Sequence, residues 1–185
     1  MDTAGLGAGA ALPEADPTRE LAIARPEDLA LVHLAVVGDT YTVLLSGEQT
    51  AGRFAMLDML IPPGGGPPPH RHDFEECFPV LEGSLEVHVR DLPPVRLEAG
   101  ESANVPANAP HTFRNAARVP ARLLCTVAPS GREEYFAEFG DPVPTRTSPA
   151  PQLSDAERQE WLRRAMENAP EYGMEILPRP ARRAG

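Results

Sequence analysis

The chain has 185 residues, a formal net charge of −10 at pH 7 and a pI near 4.9. This length suffices for one domain with appended segments and a substantial core. The acidic balance argues against a general binder of nucleic acid or of anionic membranes. The two cysteines, Cys77 and Cys125, are too few for a disulfide scaffold and fall in predicted strands, so we expect buried free thiols.

The N-terminal segment Met1–Thr18 is rich in Ala, Gly and Pro and has few bulky side chains. Such a composition cannot bury enough apolar surface to fix a conformation, so residues 1–28 are predicted to form a flexible arm. The segment has no basic region, which argues against a signal peptide. No stretch of the chain approaches the ~20 apolar residues of a membrane span. We therefore expect a cytoplasmic protein that does not bind membranes.

Residues 29–139 carry the signals of an all-β domain, because short strand patterns alternate with turn signals every ~8–12 residues. The predicted strands are Leu29–Val37, Thr40–Ser46, Arg53–Ile61, Glu76–Glu82, Ser84–Arg90, Val95–Leu97, Ser102–Val105, Thr112–Asn115 and Ala121–Ala128. The first of them is apolar and is a candidate to cover a neighbouring sheet, including one of a partner subunit.

Residues 140–185 are predicted to form a linker, a helix and a tail that pack on the barrel or on a partner subunit. The elements predicted from residue 133 onward are a short helix, a Pro/Thr/Ser-rich linker, a longer helix and an Arg-rich tail: Glu133–Phe139, Asp141–Gln152, Ser154–Asn168 and Arg179–Arg183. Ser154 and Glu157 have the spacing of a capping box at the start of the longer helix. An apolar stripe at helical spacing predicts its packed face: Trp161, Leu162, Ala165 and Met166.

The stretch with the clearest chemical signal contains two histidines one residue apart, His70 and His72. Side chains two apart in an extended chain point the same way, so both imidazoles can face one point. Glu76 has the same parity, whereas Glu75 has the opposite parity and is predicted to face away. The prolines and glycines of residues 62–69 favour a stiff, non-helical approach that aims the two histidines.

His111 is a fourth candidate ligand in a second stretch, residues 100–115. Three neutral imidazole nitrogens and one carboxylate suit a divalent transition metal, and this donor set leaves Fe, Mn, Ni, Co, Cu and Zn open. Two further histidines are predicted to lie elsewhere. His88 falls on the solvent face of its strand by alternation, and His33 has no defined spacing to the other candidates.

The two stretches resemble the paired motifs of the cupin family. The first fits G-x5-H-x-H-x3-E-x6-G throughout, with Gly64, His70, His72, Glu76 and Gly83. The second fits G-x5-P-x-G-x2-H-x3-N at Gly100, Pro106, His111 and Asn115. Asn108 stands where the family usually has glycine; asparagine tolerates left-handed backbone, so we expect the turn to be kept.

The resemblance is closest to single-domain, quercetin-dioxygenase-like cupins, which have a similar Y-x-LL-x-G-x-x-T-x-G lead-in, here Tyr41 to Gly52. It implies a cupin-type antiparallel jelly-roll barrel, the double-stranded β-helix, with short C-terminal helices, and a homodimer. It also implies a metal held by His70, His72, Glu76 and His111. The implied activity is a dioxygenase reaction on a small aromatic or enol substrate, with Glu76 also acting as general base. A metal-dependent lyase, isomerase or cyclase, and a non-enzymatic module that binds a small molecule, remain as alternatives.

Inward strand residues are candidates for an apolar pocket wall beside the metal. The residues selected by strand parity are Phe54, Met56, Phe78, Val80 and Phe113. Such a wall suits a hydrophobic organic substrate. Ordinary barrel core is the alternative for the same residues, because small barrels fill their interiors with side chains.

Overall fold

The computed structural model describes residues 14–25, 28 and 30–178. Within these residues the chain forms twelve strands, which are β1 (His33–Val36), β2 (Asp39–Leu45), β3 (Ala55–Ile61), β4 (His70–His72), β5 (Glu75–Glu82), β6 (Ser84–Val89), β7 (Val95–Glu98), β8 (Ser102–Val105), β9 (His111–Arg114), β10 (Ala121–Ala128), β11 (Asp141–Pro142) and β12 (Met174–Ile176). The helices are α1 (Gly47–Thr50), α2 (Arg132–Phe139) and α3 (Asp155–Asn168), and a 3-10 turn covers Ala169–Tyr172.

The strands form two antiparallel sheets that face each other. The larger sheet has the order β11-β1-β2-β3-β10-β5-β8, and the smaller has the order β12-β4-β9-β6-β7. Alternate residues of each central strand are buried between the sheets, as in β10, where Ala121, Leu123, Cys125 and Val127 are fully buried. This arrangement is the predicted all-β, cupin-type jelly-roll barrel.

The first strand differs in extent from its prediction. β1 begins at His33, and the predicted start, Leu29, lies outside the described residues. β1 pairs with β2 of its own chain along its whole length, so its apolar side chains cover the barrel to which it belongs. The Nδ1 atom of His33 lies 2.8 Å from the hydroxyl of Thr42, which gives this histidine a role within the sheet.

Residues after 139 complete both sheets, which the sequence did not predict. β11 pairs with β1 at the edge of the larger sheet, within the predicted linker. β12 pairs with β4, the strand that carries His70 and His72. These two short pairings attach the C-terminal segment to the barrel. The predicted tail at Arg179–Arg183 and most of the predicted N-terminal arm lie outside the described residues.

The predicted capping box begins α3, with Ser154 and Glu157 exchanging both hydrogen bonds. Trp161 and Ala165 are buried, and the Trp161 ring meets that of Phe139 on α2 with 4.7 Å between centroids. Met166 is 50% exposed, so the predicted apolar stripe was too wide at this residue. None of the helices in the described part of the chain has the length and apolarity that crossing a membrane requires.

Candidate metal centre

Four buried side chains converge between the two sheets. His70 and His72 come from β4, His111 from the adjacent β9, and Glu76 from β5 on the opposite sheet. One donor atom from each of the four lies within 4.8 Å of all the others. The structure thus brings together the four predicted ligands, and their assignment as metal ligands stays a prediction.

The approach to His70 is fixed by close contact with β9. Gly66 has a φ of +129°, and a Cβ atom there would collide with the backbone carbonyl of Phe113. The amide of Asn115 donates to the carbonyl of Gly65 at 3.0 Å. This packing places His70 opposite His111 in the register of β4 and β9.

The second turn is also formed as expected. Asn108 adopts a φ of +64°, the left-handed conformation that glycine usually supplies at this motif position. Its amide donates to the carbonyl of His72 at 2.6 Å. The turn before His111 is therefore tied to the strand that carries the other two histidines.

The three imidazole rings share one hydrogen-bonding pattern. Their Nδ1 atoms lie close to backbone carbonyls, at 2.9 Å from Pro68 for His70, 2.8 Å from Phe74 for His72 and 2.9 Å from Ala109 for His111. A carbonyl can only accept, so each Nδ1 carries the hydrogen. In a neutral ring this leaves Nε2 with a free lone pair, which is the arrangement of a metal-ligating histidine.

Two of these lone pairs, those of His72 and His111, are directed at an anion. Glu76 Oε2 lies 3.0 Å from Nε2 of both His72 and His111. Two lone pairs that face a carboxylate oxygen without a proton repel it, and a cation among them relieves the repulsion. The donor set and its ring orientations therefore fit a divalent transition metal, which these four residues could hold.

The second oxygen of Glu76 has two further neighbours. The thiol of Cys125 donates to Oε1 at 3.0 Å, and Nη1 of Arg132 lies 3.6 Å from the same oxygen. Burial alone would raise the pKa of Glu76, but the neighbouring charge of Arg132 holds it well below its ordinary value. Burial and the neighbouring Glu76 raise the pKa of Cys125 well above the ordinary thiol value, so this cysteine stays protonated as a donor.

Arg132 also affects the nearest histidine. Its Nη2 lies 3.3 Å from Nε2 of His70. Burial, then Arg132 and His111, lower the pKa of His70 well below its ordinary value. His70 is therefore neutral, as a metal ligand must be.

Sequence reasoning missed Arg132 and the role of Cys125. Both cysteines are free as predicted, but only Cys125 is buried, since Cys77 is partly exposed. The position of Cys125 on an inward-facing site of β10 was the only signal of its contact with Glu76. Arg132 lies at the start of α2, outside both motifs, and no pattern in the sequence marks it. Glu75 faces away from the centre as predicted and accepts hydrogen bonds from Asn104 and Ala107.

The predicted wall residues fall into two groups. Phe78, Val80 and Phe113 are buried, and the rings of Phe78 and Phe113 meet with 5.5 Å between centroids. Met56 on β3 and Phe54 just before it are only half-buried, whereas Ala55 and Leu57 are buried, so the predicted inward orientation of Phe54 and Met56 was wrong. Both faces of this strand are largely apolar, and alternation of polarity could not distinguish them.

A narrow cleft reaches the centre at a different place. Its wall includes Tyr41, His70, Arg132, Phe136 and Trp161, and none of the five predicted wall residues belongs to it. Contact of Phe78, Val80 or Phe113 with a substrate stays a prediction. His88 lies half-exposed on β6 beside Glu86, as the alternation predicted.

The comparison with protein families agrees with the site. Residues 57–127 match the Cupin domain family. The matched segment includes the four candidate ligands and Cys125, and it ends before Arg132.

Solved structures of proteins that differ from one another in activity share this fold. The polyketide cyclase RemF from Streptomyces resistomycificus is similar over 78% of this chain and 94% of its own, with 22% identity and a TM-score of 0.52. A predicted oxalate decarboxylase from Thermotoga maritima is similar over 57% of this chain and 97% of its own, with 19% identity and a TM-score of 0.50. Likeness at this level of identity shows a common fold, and it does not extend to activity. No curated protein sequence matches the chain.

Proposed function

We propose that this chain is a metal-dependent enzyme that acts on a small enolic or phenolic substrate. The observation that carries the proposal is the convergence of His70, His72, Glu76 and His111, with all three Nδ1 atoms committed to carbonyls. A divalent ion bound by these residues would lower the pKa of a hydroxyl group next to it. The identity of the metal is left open by the donor set.

Glu76 is the candidate proton acceptor for the substrate hydroxyl. Its pKa lies well below the ordinary carboxyl value, because the charge of Arg132 outweighs the effect of burial, so it is a weak base. A weak base can deprotonate only an acidic group. This supports an enol or a phenol as the reacting group in preference to an aliphatic alcohol.

Two reaction types follow from such a site. An oxygenase reaction is the one that the resemblance to quercetin-dioxygenase-like cupins implies, and open sites with histidine and carboxylate ligands suit it. A redox-neutral cyclisation or isomerisation is the second candidate. The thiol of Cys125 lies 3.0 Å from Glu76 and would be exposed to oxidants formed at the centre. This observation favours the second candidate.

The test uses chelator-treated protein reloaded with Fe(II), Mn(II), Co(II), Ni(II) or Zn(II) in turn. Each form is incubated with flavonols, catechols and β-diketones in air and under nitrogen, while oxygen uptake and product masses are measured. Oxygen uptake supports the oxygenase, and a product of unchanged composition formed under nitrogen supports the cyclase or isomerase. Tight binding with no turnover of any compound would indicate a binding module and contradict the enzymatic proposal.

The His88→Ala variant serves as control, since His88 lies half-exposed away from the centre. It should keep the activity that the His111→Ala variant loses. The homodimer, the absence of a nucleic-acid or membrane partner and the cytoplasmic location all stay predictions.

A further inference from the structure

The guanidinium group of Arg132 is buried beside the candidate metal centre with unused hydrogen-bonding capacity. Arg132 is only 3% exposed, and its Nε and Nη1 atoms have no hydrogen-bond partner among the residues that the structure describes. A buried charged donor without an acceptor costs free energy, so such a group calls for an explanation. An acceptor that arrives with a ligand would supply one.

Arg132 is held in place by two aromatic rings. Its guanidinium carbon lies 5.1 Å from the ring centroid of Phe136 and 5.9 Å from that of Phe74. Cation–π contacts of this kind fix the group without using its N–H bonds. Its position is thus set by packing and by the contact of Nη2 with His70, while the N–H groups at Nε and Nη1 remain available.

A role as the counter-ion of Glu76 does not account for these donors. Nη1 lies 3.6 Å from Glu76 Oε1, outside hydrogen-bond range, and that oxygen already accepts from Cys125. Within the described part of the chain, Glu76 is the one carboxylate that forms an ion pair with Arg132. The pairing is therefore incomplete.

The charge of the centre points to an anion. With a divalent ion in place, the carboxylate of Glu76 and the guanidinium of Arg132 leave a formal excess of two positive charges among neutral histidines. Buried charge of one sign is costly unless an opposite charge compensates it. Arg132 and His70 also line the same cleft, so a ligand group that enters it meets both side chains.

We propose that Arg132 binds a carboxylate group of the substrate. The substrate class is then a small enol or phenol that carries a carboxylate close to its hydroxyl group. The hydroxyl faces the metal ligands and Glu76, and the carboxylate accepts hydrogen bonds from the N–H groups of Arg132, as guanidinium groups favour. This inference rests on the proposed function for the role of the hydroxyl, whereas the carboxylate site itself requires only Arg132.

The first experiment needs neither a metal nor a variant. Titration calorimetry of the chelator-treated full chain compares benzoate with benzyl alcohol, which has a similar size and no charge. We expect benzoate to bind at least about tenfold more tightly, as one charge-assisted hydrogen bond provides. Equal affinity for the two probes would overturn the proposal.

The second experiment uses the full chain loaded with Co(II) and follows the visible absorption of the ion as salicylate or phenol is added. Arg132→Met should weaken salicylate binding at least about tenfold and leave phenol binding within about twofold, and Arg132→Lys should recover part of the loss. An equal loss for both probes, or no loss for either, would contradict the proposal. Circular dichroism and the cobalt content of each variant are measured alongside as controls for folding and metal loading. A wild-type chain that binds no cobalt would refute the proposed function, whereas the benzoate experiment would still test the carboxylate site.

Discussion

The Oε2 atom of Glu76 lies 3.0 Å from the Nε2 atom of His111, on the facing sheet of the barrel. His111 gives its Nδ1 hydrogen to the carbonyl of Ala109, so the contact with Glu76 has no proton in the neutral ring. This relationship makes a cation at the centre the simplest way to stabilise the interior. It also makes the geometry of Glu76 sensitive to the groups that hold its other oxygen.

Removal of the thiol donor at Cys125 should weaken metal binding. The thiol donates to Glu76 Oε1 at 3.0 Å, and groups that orient a ligand typically change metal affinity 10–100-fold. We expect Cys125→Ala to lower the affinity for Zn(II) about tenfold, measured by competition with a chelating dye. Cys125→Ser keeps a donor and should stay within a few-fold of the wild type.

Cys77→Ala is the matched control, because Cys77 is only partly buried and lies on the other face of β5. It should leave the affinity unchanged. Similar affinities for all three cysteine variants and the wild type would show that Cys125 does not orient Glu76.

Substitution at Gly66 should disturb both stability and the centre. Gly66→Ala adds a Cβ that collides with the carbonyl of Phe113 at a φ of +129°. We expect a loss of more than about 2 kcal/mol in the free energy of unfolding, measured in urea. Metal affinity should fall as well, since the loop fixes His70 against β9.

Gly100→Ala separates the two causes of this loss. Gly100 has a φ of +92°, but nothing lies within 4 Å of an added Cβ. It should cost about 1 kcal/mol from backbone strain alone and leave metal affinity intact. Equal effects of the two variants would contradict the proposed steric role of Gly66.

Asp39 should make the barrel less stable as the pH rises. Burial raises the pKa of this carboxyl to about 7, against an ordinary value of 3.8, and outweighs its hydrogen bonds with Tyr41 and Gly66. Between these two values the folded chain binds more protons than the unfolded chain, so the free energy of unfolding falls with increasing pH. The stability that the protonated form provides is fully present below pH 3.8 and lost above about pH 7.

Asp39→Asn removes this dependence. Between pH 4 and pH 8 the wild type should lose up to about 4 kcal/mol of unfolding free energy relative to the variant. The exposed Asp91 supplies the control variant, Asp91→Asn, which should run parallel to the wild type. A difference for Asp39→Asn that does not change with pH would contradict the raised pKa.

The sequence predicted the part of the site that depends on local spacing. The alternation of side chains along an extended chain selected His70, His72 and Glu76 and rejected Glu75, and the left-handed turn at Asn108 followed from the tolerance of asparagine. These features depend on neighbours along the chain. Periodicity and turn chemistry therefore reveal them.

The parts that sequence reasoning missed depend on tertiary packing. Arg132 reaches the centre because α2 packs across the barrel, and no local pattern specifies that direction. The same holds for β12, three residues that pair with β4 after a helix and a turn. The orientation of Met56 was missed for a different reason, since both faces of β3 are largely apolar and Asp58 alone marks the face to which Met56 belongs.

Metal stoichiometry is the most direct test of the central claim. Chelator-treated protein is titrated with Zn(II) and with Co(II) by calorimetry, for the wild type and for His72→Ala, His111→Ala, His33→Ala and His88→Ala. The account predicts one ion per chain for the wild type and for the variants at His33 and His88, and no tight binding for the variants at His72 and His111. A wild type that binds no ion, or a His111→Ala variant that binds one as tightly as the wild type, would contradict it.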